Sequence, residues 1–297
     1  MRITNNIIVQ RQLAGLQSNL AAIDNAQSQV SSGKKVQVAS DDPAAASGIM
    51  TAATMLRAIK QYRTNVNSAT DRVNAEDSTL QQLTDLMTRA QEISIQEASD
   101  TASPETRQAA ASEAQGILDS AVQLANTKFG DEFLFGGDNS TIAPFTVSGT
   151  GAAASYTTTS AGGNRVVSIS DGQTMTISHT GGQAFVASGV LDSLVKLTGS
   201  LAGADVAGIN TANTQISGAF DNLQALVGDV GSRGNELQMT STSLDKLEGD
   251  VTAHKSDLED VDAATAITEL TSRQAAYQAA LLAISKSANL SLTDYLK

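Results

Sequence analysis

Apolar residues recur at steps of three and four along both ends of the chain, with polar residues between them. Near the start the stripe is Val9, Leu13, Leu16, Leu20, Ile23 and Val30, interrupted at Gln27. This spacing places the six side chains on one narrow helix face, the seam of a coiled coil. Ser31-Ser32-Gly33 follows, and Gly33 is free to close the helix in a left-handed conformation. Asp42-Pro43 opens the next helix, Asp42 as its cap and Pro43 in its first position. The stripe resumes as Ile49, Leu56, Ile59, Val66, Val73, Leu80, Leu83 and Met87, with Arg63, Thr70 and Asp77 interrupting it. A helix of ~55 residues would be about 80 Å long, so other helices must lie along it. Ser103-Pro104-Glu105 starts a third helix, with Ile117, Ala121 and Leu124 on one face.

The centre reads differently. Residues 129–203 hold 13 of the 23 Gly, and between 146 and 200 the charged residues are Arg165, Asp171, Asp192 and Lys196. Short runs such as Val166-Val167-Ser168-Ile169 and Thr174-Met175-Thr176-Ile177 predict strands joined at Gly turns. Helical stepping returns near Asp205 through Ile209, Ile216, Phe220, Leu223, Val227, Leu237, Leu244, Leu247 and Val251. It ends in Ile267, Leu270, Tyr277, Leu281, Ile284 and Leu292, a stripe that mirrors the first. Antiparallel pairing of the two ends would bury both stripes. The predicted fold is mainly α: an elongated antiparallel helical bundle with a small β-rich insert. Its divisions are a terminal helix over 1–43, a helical rod with a hairpin over 44–145, the insert over 146–200, a returning rod over 201–262 and a second terminal helix over 263–297.

Composition narrows the chemistry. Cys is absent, which removes disulfides, thiolate metal sites and Cys nucleophiles, and two distant His cannot build a multi-histidine metal site. Aromatic residues are 3% of 297 and Trp is absent, so the apolar content sits in aliphatic side chains suited to thin helical packing. A net charge of −12 argues against a nucleic-acid partner. The charge is uneven: residues 1–40 carry four basic and one acidic residue, whereas residues 205–262 carry eleven acidic and three basic ones. The simplest reading is a solvated acidic face; head-to-tail attraction between copies is the sharper one. No run is apolar enough to predict a membrane span, and no cleavable signal peptide is visible, so the chain stays in the cytosol or leaves by another route.

Candidate sites fail on context. Gly149-Thr150-Gly151-Ala152-Ala153-Ala154 fits a loose dinucleotide-binding pattern, but strand-like Tyr156-Thr157-Thr158-Thr159 follows where a helix is needed. Asp41-Asp42 reads as a cap rather than a cation site. His254 lies on an acidic helix, and His179 lies in a Ser/Thr/Gly turn region with no nucleophile pairing suggested. No catalytic, cofactor-binding or metal-ligating constellation emerges, and the expectation is a protein that is not an enzyme.

The segment Ser31-Ser32-Gly33-Lys34-Lys35-Val36-Gln37-Val38-Ala39-Ser40-Asp41-Asp42-Pro43-Ala44-Ala45-Ala46 resembles the N-terminal signature of the bacterial flagellin superfamily, with Gly33, Asp41, Asp42 and Pro43 as its fixed points. Phe133-Leu134-Phe135-Gly136-Gly137 with Pro144-Phe145, Leu258-Glu259-Asp260-Val261-Asp262, and the tail Asn289 to Leu296 are similar to those of its hook–filament junction members. The resemblance covers residues 1–145 and 205–297. It implies a flagellin-type fold and a structural role: a secreted subunit, exported by the flagellar type III pathway, that forms a ring joining hook to filament. Implied partners are flagellin, the other junction protein, further copies of the chain, and a cytosolic export chaperone at the C-terminal helix. Filament flagellin is the first alternative, and a surface ligand-binding protein on the same scaffold the second. In each case the terminal stripes would be the assembly seam.

Overall fold

The computed structural model describes the backbone of residues 2–99, 102–159 and 163–295; within these helices, nothing is described of the side chains of 2–6, 8, 9 and 287–295. In chain order the described residues form α1 (Arg2–Ser32), α2 (Pro43–Glu97), α3 (Pro104–Ala125), β1 (Lys128–Phe129), β2 (Glu132–Phe133), β3 (Phe145–Ser148), β4 (Ser155–Thr158), β5 (Val166–Ser170), β6 (Gln173–Thr176), α4 (Val190–Ala202), α5 (Val206–Glu259) and α6 (Ala263–Tyr295). The strands pair in sequence order into three separate antiparallel hairpins, β1–β2, β3–β4 and β5–β6. A 3-10 turn, Gly151–Ala153, sits in the second hairpin, and a π-helical turn, Gly182–Ala187, precedes α4. Two compact units result: residues 59–247, and residues 1–58 together with 248–297.

In the unit 59–247, α2 and α5 run antiparallel. Gln91 donates to Ser217 at 3.2 Å, Ser94 to Asn213 at 2.9 Å, and Arg63 pairs with Asp245 at 3.5 Å. Ile59, Val66, Val73, Leu80 and Met87 are buried on α2 at seven-residue spacing. Ile209, Ile216, Leu223, Val230, Leu237 and Leu244 are buried on α5 at the same spacing. Each seven-residue row marks one continuous seam along its helix. The second buried row of α2 is Ala69, Glu76, Leu83 and Ala90. The expected interruptions Arg63, Thr70 and Asp77 therefore lie beside the core, and Glu76 is a charged residue within it.

The insert is less β-rich than expected. Its last part is α4, where Val190, Leu191, Leu194, Leu197 and Leu201 are all buried against neighbours that include α3. Their spacing of three and four is a helical stripe. The low charge around it had made this stretch resemble turns and strands. Phe135, Phe145 and Phe185 complete the core, with ring centroids 5.0 Å apart for Phe135–Phe185 and 5.8 Å for Phe145–Phe185. Gly181 is required there, because a Cβ would stand 2.6 Å from the Phe145 ring. The Phe133–Gly137 segment is held by Arg72, a buried guanidinium on α2 that donates to the carbonyls of Phe133 at 3.2 Å and Leu134 at 2.8 Å. Desolvation holds the Arg72 pKa below its ordinary value.

Candidate assembly surface

In the unit formed by 1–58 and 248–297, α1 packs on α6. The sequence explains the thinness of this pair: among the described side chains, the buried apolar positions on the two helices are the small residues Ala26 and Ala266. The larger seam residues are only partly covered. Leu16, Ile23 and Val30 on α1, and Leu270, Tyr277 and Ile284 on α6, are half-buried. Leu13 is 52% exposed, Leu20 47%, Ile267 50% and Leu281 43%. The side chains of Val9 and Leu292 lie outside those described. Ile7 and Leu282 are also exposed and belong to neither expected stripe; their signal was only that of isolated apolar residues. The pairing of the ends thus leaves a row of large aliphatic side chains in water, a feature that marks interaction sites.

The segment between α1 and α2 is folded by its own residues. Gly33, at φ 72, ends α1. Asp41 Oδ2 accepts from the N–H groups of Gln37 at 2.9 Å and Val38 at 3.0 Å, and these bonds hold the Asp41 carboxyl below the usual carboxylate range. Asp42 Oδ1 accepts from the N–H groups of Ala44 and Ala45, both at 3.0 Å, so it caps α2 while Pro43 takes the first position. Gly33, Asp41, Asp42 and Pro43 therefore each have a conformational task, and Asp41-Asp42 satisfies backbone donors instead of offering a cation site.

This segment is clamped to the joint between α5 and α6. The Lys35 N–H donates to the Glu259 carbonyl and the Val261 N–H to the Gly33 carbonyl, at 2.8 and 2.9 Å. The Lys34 ammonium pairs with the Glu259 carboxylate, which Lys255 also reaches at 2.8 Å. Lys255 and then Lys34 hold the Glu259 pKa down, and Glu259 in turn raises that of Lys34. Nothing in the local sequence announces this clamp, because its halves are more than 220 residues apart.

The structure describes the surroundings of each of the remaining candidate residues. Gly151–Ala153 is a 3-10 turn leading into β4, so no helix N-terminus faces the Gly149-Thr150-Gly151 loop. His254 is exposed. His179 is buried against Glu76, with Nδ1 2.6 Å from Oε1. Among the described residues no group of three or more His, Cys, Asp or Glu could hold a metal ion, and no helix is long and apolar enough to cross a membrane.

Comparison with known proteins places these features. The N-terminal helical region of bacterial flagellin matches residues 3–140, and its C-terminal helical region matches residues 210–296. Flagellar hook-associated protein 3 of Escherichia coli K12 is 28% identical, with 98% of each chain covered, and the protein of that name from Salmonella typhimurium LT2 matches equally. A putative flagellar hook-associated protein from Vibrio parahaemolyticus shares the fold at a TM-score of 0.66 and 19% identity, covering 74% of this chain and all of that one.

Proposed function

Because the chain belongs to the bacterial flagellin family, we propose that it is a structural subunit of the flagellum at the junction between hook and filament. The observation that carries this reading is the end-to-end match to hook-associated protein 3 in two organisms, at 98% of both chains. A filament flagellin would share the two helical regions without that match across the centre. The role is mechanical: the chain offers surfaces to neighbours and carries out no reaction.

The exposed rows of α1 and α6 suit such a role. Leu13, Leu20, Ile267 and Leu281 are to be covered by neighbouring copies in a ring, and by flagellin and the other junction protein above and below it. Before assembly, an export chaperone in the cytosol would cover the α6 row, as an amphipathic helix is held in a groove.

The test is a deletion strain. Cells lacking the chain should build hooks yet release flagellin into the medium, and expression in trans should restore filaments. If the deletion instead removes the main filament band and leaves no flagellin in the medium, the chain is filament flagellin.

A further inference from the structure

The buried Glu76–His179 pair plays no part in the surface described above. Glu76 lies in the apolar row of α2 and is fully buried; His179 reaches it from the segment between β6 and the π-helical turn. Glu76 Oε1 receives two groups from His179, the backbone N–H at 3.1 Å and ring Nδ1 at 2.6 Å. A buried carboxylate oxygen at that distance calls for a proton on Nδ1. The other ring nitrogen, Nε2, faces two groups of opposite kind on α5. Asp229 Oδ2 is 3.1 Å away and Arg233 Nη2 is 3.2 Å away, and these two are paired with each other at 2.6 Å. Arg72, one turn before Glu76 on α2, is the remaining charge that acts on this carboxylate.

From this geometry we infer that the Asp229–Arg233 pair is a proton-tolerant socket for His179, which keeps the unit 59–247 closed whether or not Nε2 carries a proton. When Nε2 is protonated, its N–H donates to the Asp229 carboxylate. When it is not, its lone pair accepts from the Arg233 Nη2–H. Nδ1–H remains on Glu76 throughout, so the proton exchanged with solvent is always the one on Nε2. Asp229 is 49% exposed at its side chain and gives that proton a way out, while Glu76 and His179 stay buried. A lone buried histidine beside a single carboxylate would tie the fold to one protonation state. Here either state finds a partner within hydrogen-bond reach, with no rearrangement of α2 or α5.

The experiment uses the full chain. Its two histidines make the ring nitrogens easy to assign by nitrogen-15 NMR, with His254→Gln removing the other signal. Across roughly pH 5.5–8.5, His179 Nδ1 should stay protonated and the folded spectrum should persist, whether or not Nε2 carries a proton. Loss of the Nδ1 proton first, or unfolding as Nε2 titrates, overturns the inference. Thermal melts of two variants give a second reading. Arg233→Met leaves Nε2 facing only a carboxylate, so its melting temperature should fall relative to the parent as pH rises through this range. Asp229→Leu leaves it facing only a cation, so its melting temperature should fall as pH drops. Parallel profiles for parent and both variants would overturn the socket.

Discussion

Replacing Leu281 with Asp separates the interior of the subunit from its contacts. Leu281 is 43% exposed on α6, so the isolated chain uses only part of its apolar surface. Full burial of a Leu contributes about 1.5–3 kcal/mol, which leaves roughly 1 kcal/mol per copy to be gained when a neighbour covers the rest. In an assembly the new carboxylate would also be stripped of water without a partner, at a cost of several kcal/mol in each copy. Within the chain the loss is at most about 1–2 kcal/mol, confined to the α1–α6 pair. The melt of the unit 59–247 should therefore be unchanged, while filaments detach from the hook. Three measurements belong together: the thermal melt, the amount of the chain secreted, and the fraction of hooks that retain filaments. Because the same row is proposed to bind the chaperone, reduced secretion points to that contact, and normal secretion with filament loss points to the ring. A variant that is secreted normally and still holds filaments refutes the assignment of this row to assembly.

Other outcomes follow from the interior and the clamp. Phe185→Ala should destabilise the unit 59–247 by about 3–5 kcal/mol in a thermal or urea melt, since Phe185 is fully buried in the aromatic cluster. Replacing Ser148 and Thr150, exposed where β3 leaves the hairpin, with Gly should leave that melt and filament retention nearly unchanged. Asp42→Ala should cost about 1 kcal/mol through loss of the α2 cap, seen as faster amide exchange at Ala44 and Ala45. The clamp should have a pH window: the contribution of Glu259, whose pKa is lowered, is complete above the ordinary value of 4.5 and fades as pH falls through its folded value. That of Lys34, raised from 10.5, is complete below that value and fades at higher pH. Protection of the Val261 amide, taken relative to its intrinsic exchange rate at each pH, should be greatest between these limits, and Glu259→Gln should abolish the acid limb.

The legible parts of the fold were those written in short-range signals. Capping at Ser103 and Asp42, the stop at Gly33 and the heptad rows of α2 and α5 each need only neighbours within a turn or two. Even there the polar interruptions were expected at Arg63, Thr70 and Asp77, whereas Glu76, a charged residue, was not expected inside. Its burial depends on His179, 103 residues later in the chain, so no local pattern reveals it. The helix α4 escaped notice for the opposite reason: its stripe was present, but the low charge and frequent Gly around it favoured a reading as turns. The terminal stripes were visible from spacing alone. How much of each stays in water was not, because exposure depends on how thin the partner helix is.

The pairing of α1 with α6 joins the first thirty residues of the chain to the last thirty. In synthesis α1 emerges more than 200 residues before α6, so it waits for its partner. Closing that pair carries the entropy of the longest loop the chain possesses, a cost that rises only logarithmically with length but comes due at the end. The aliphatic row presented by both helices therefore does not exist as a complete surface on a partly released chain. Timing is built into the topology: the surface shared by the two helices forms only after α6 has followed α1.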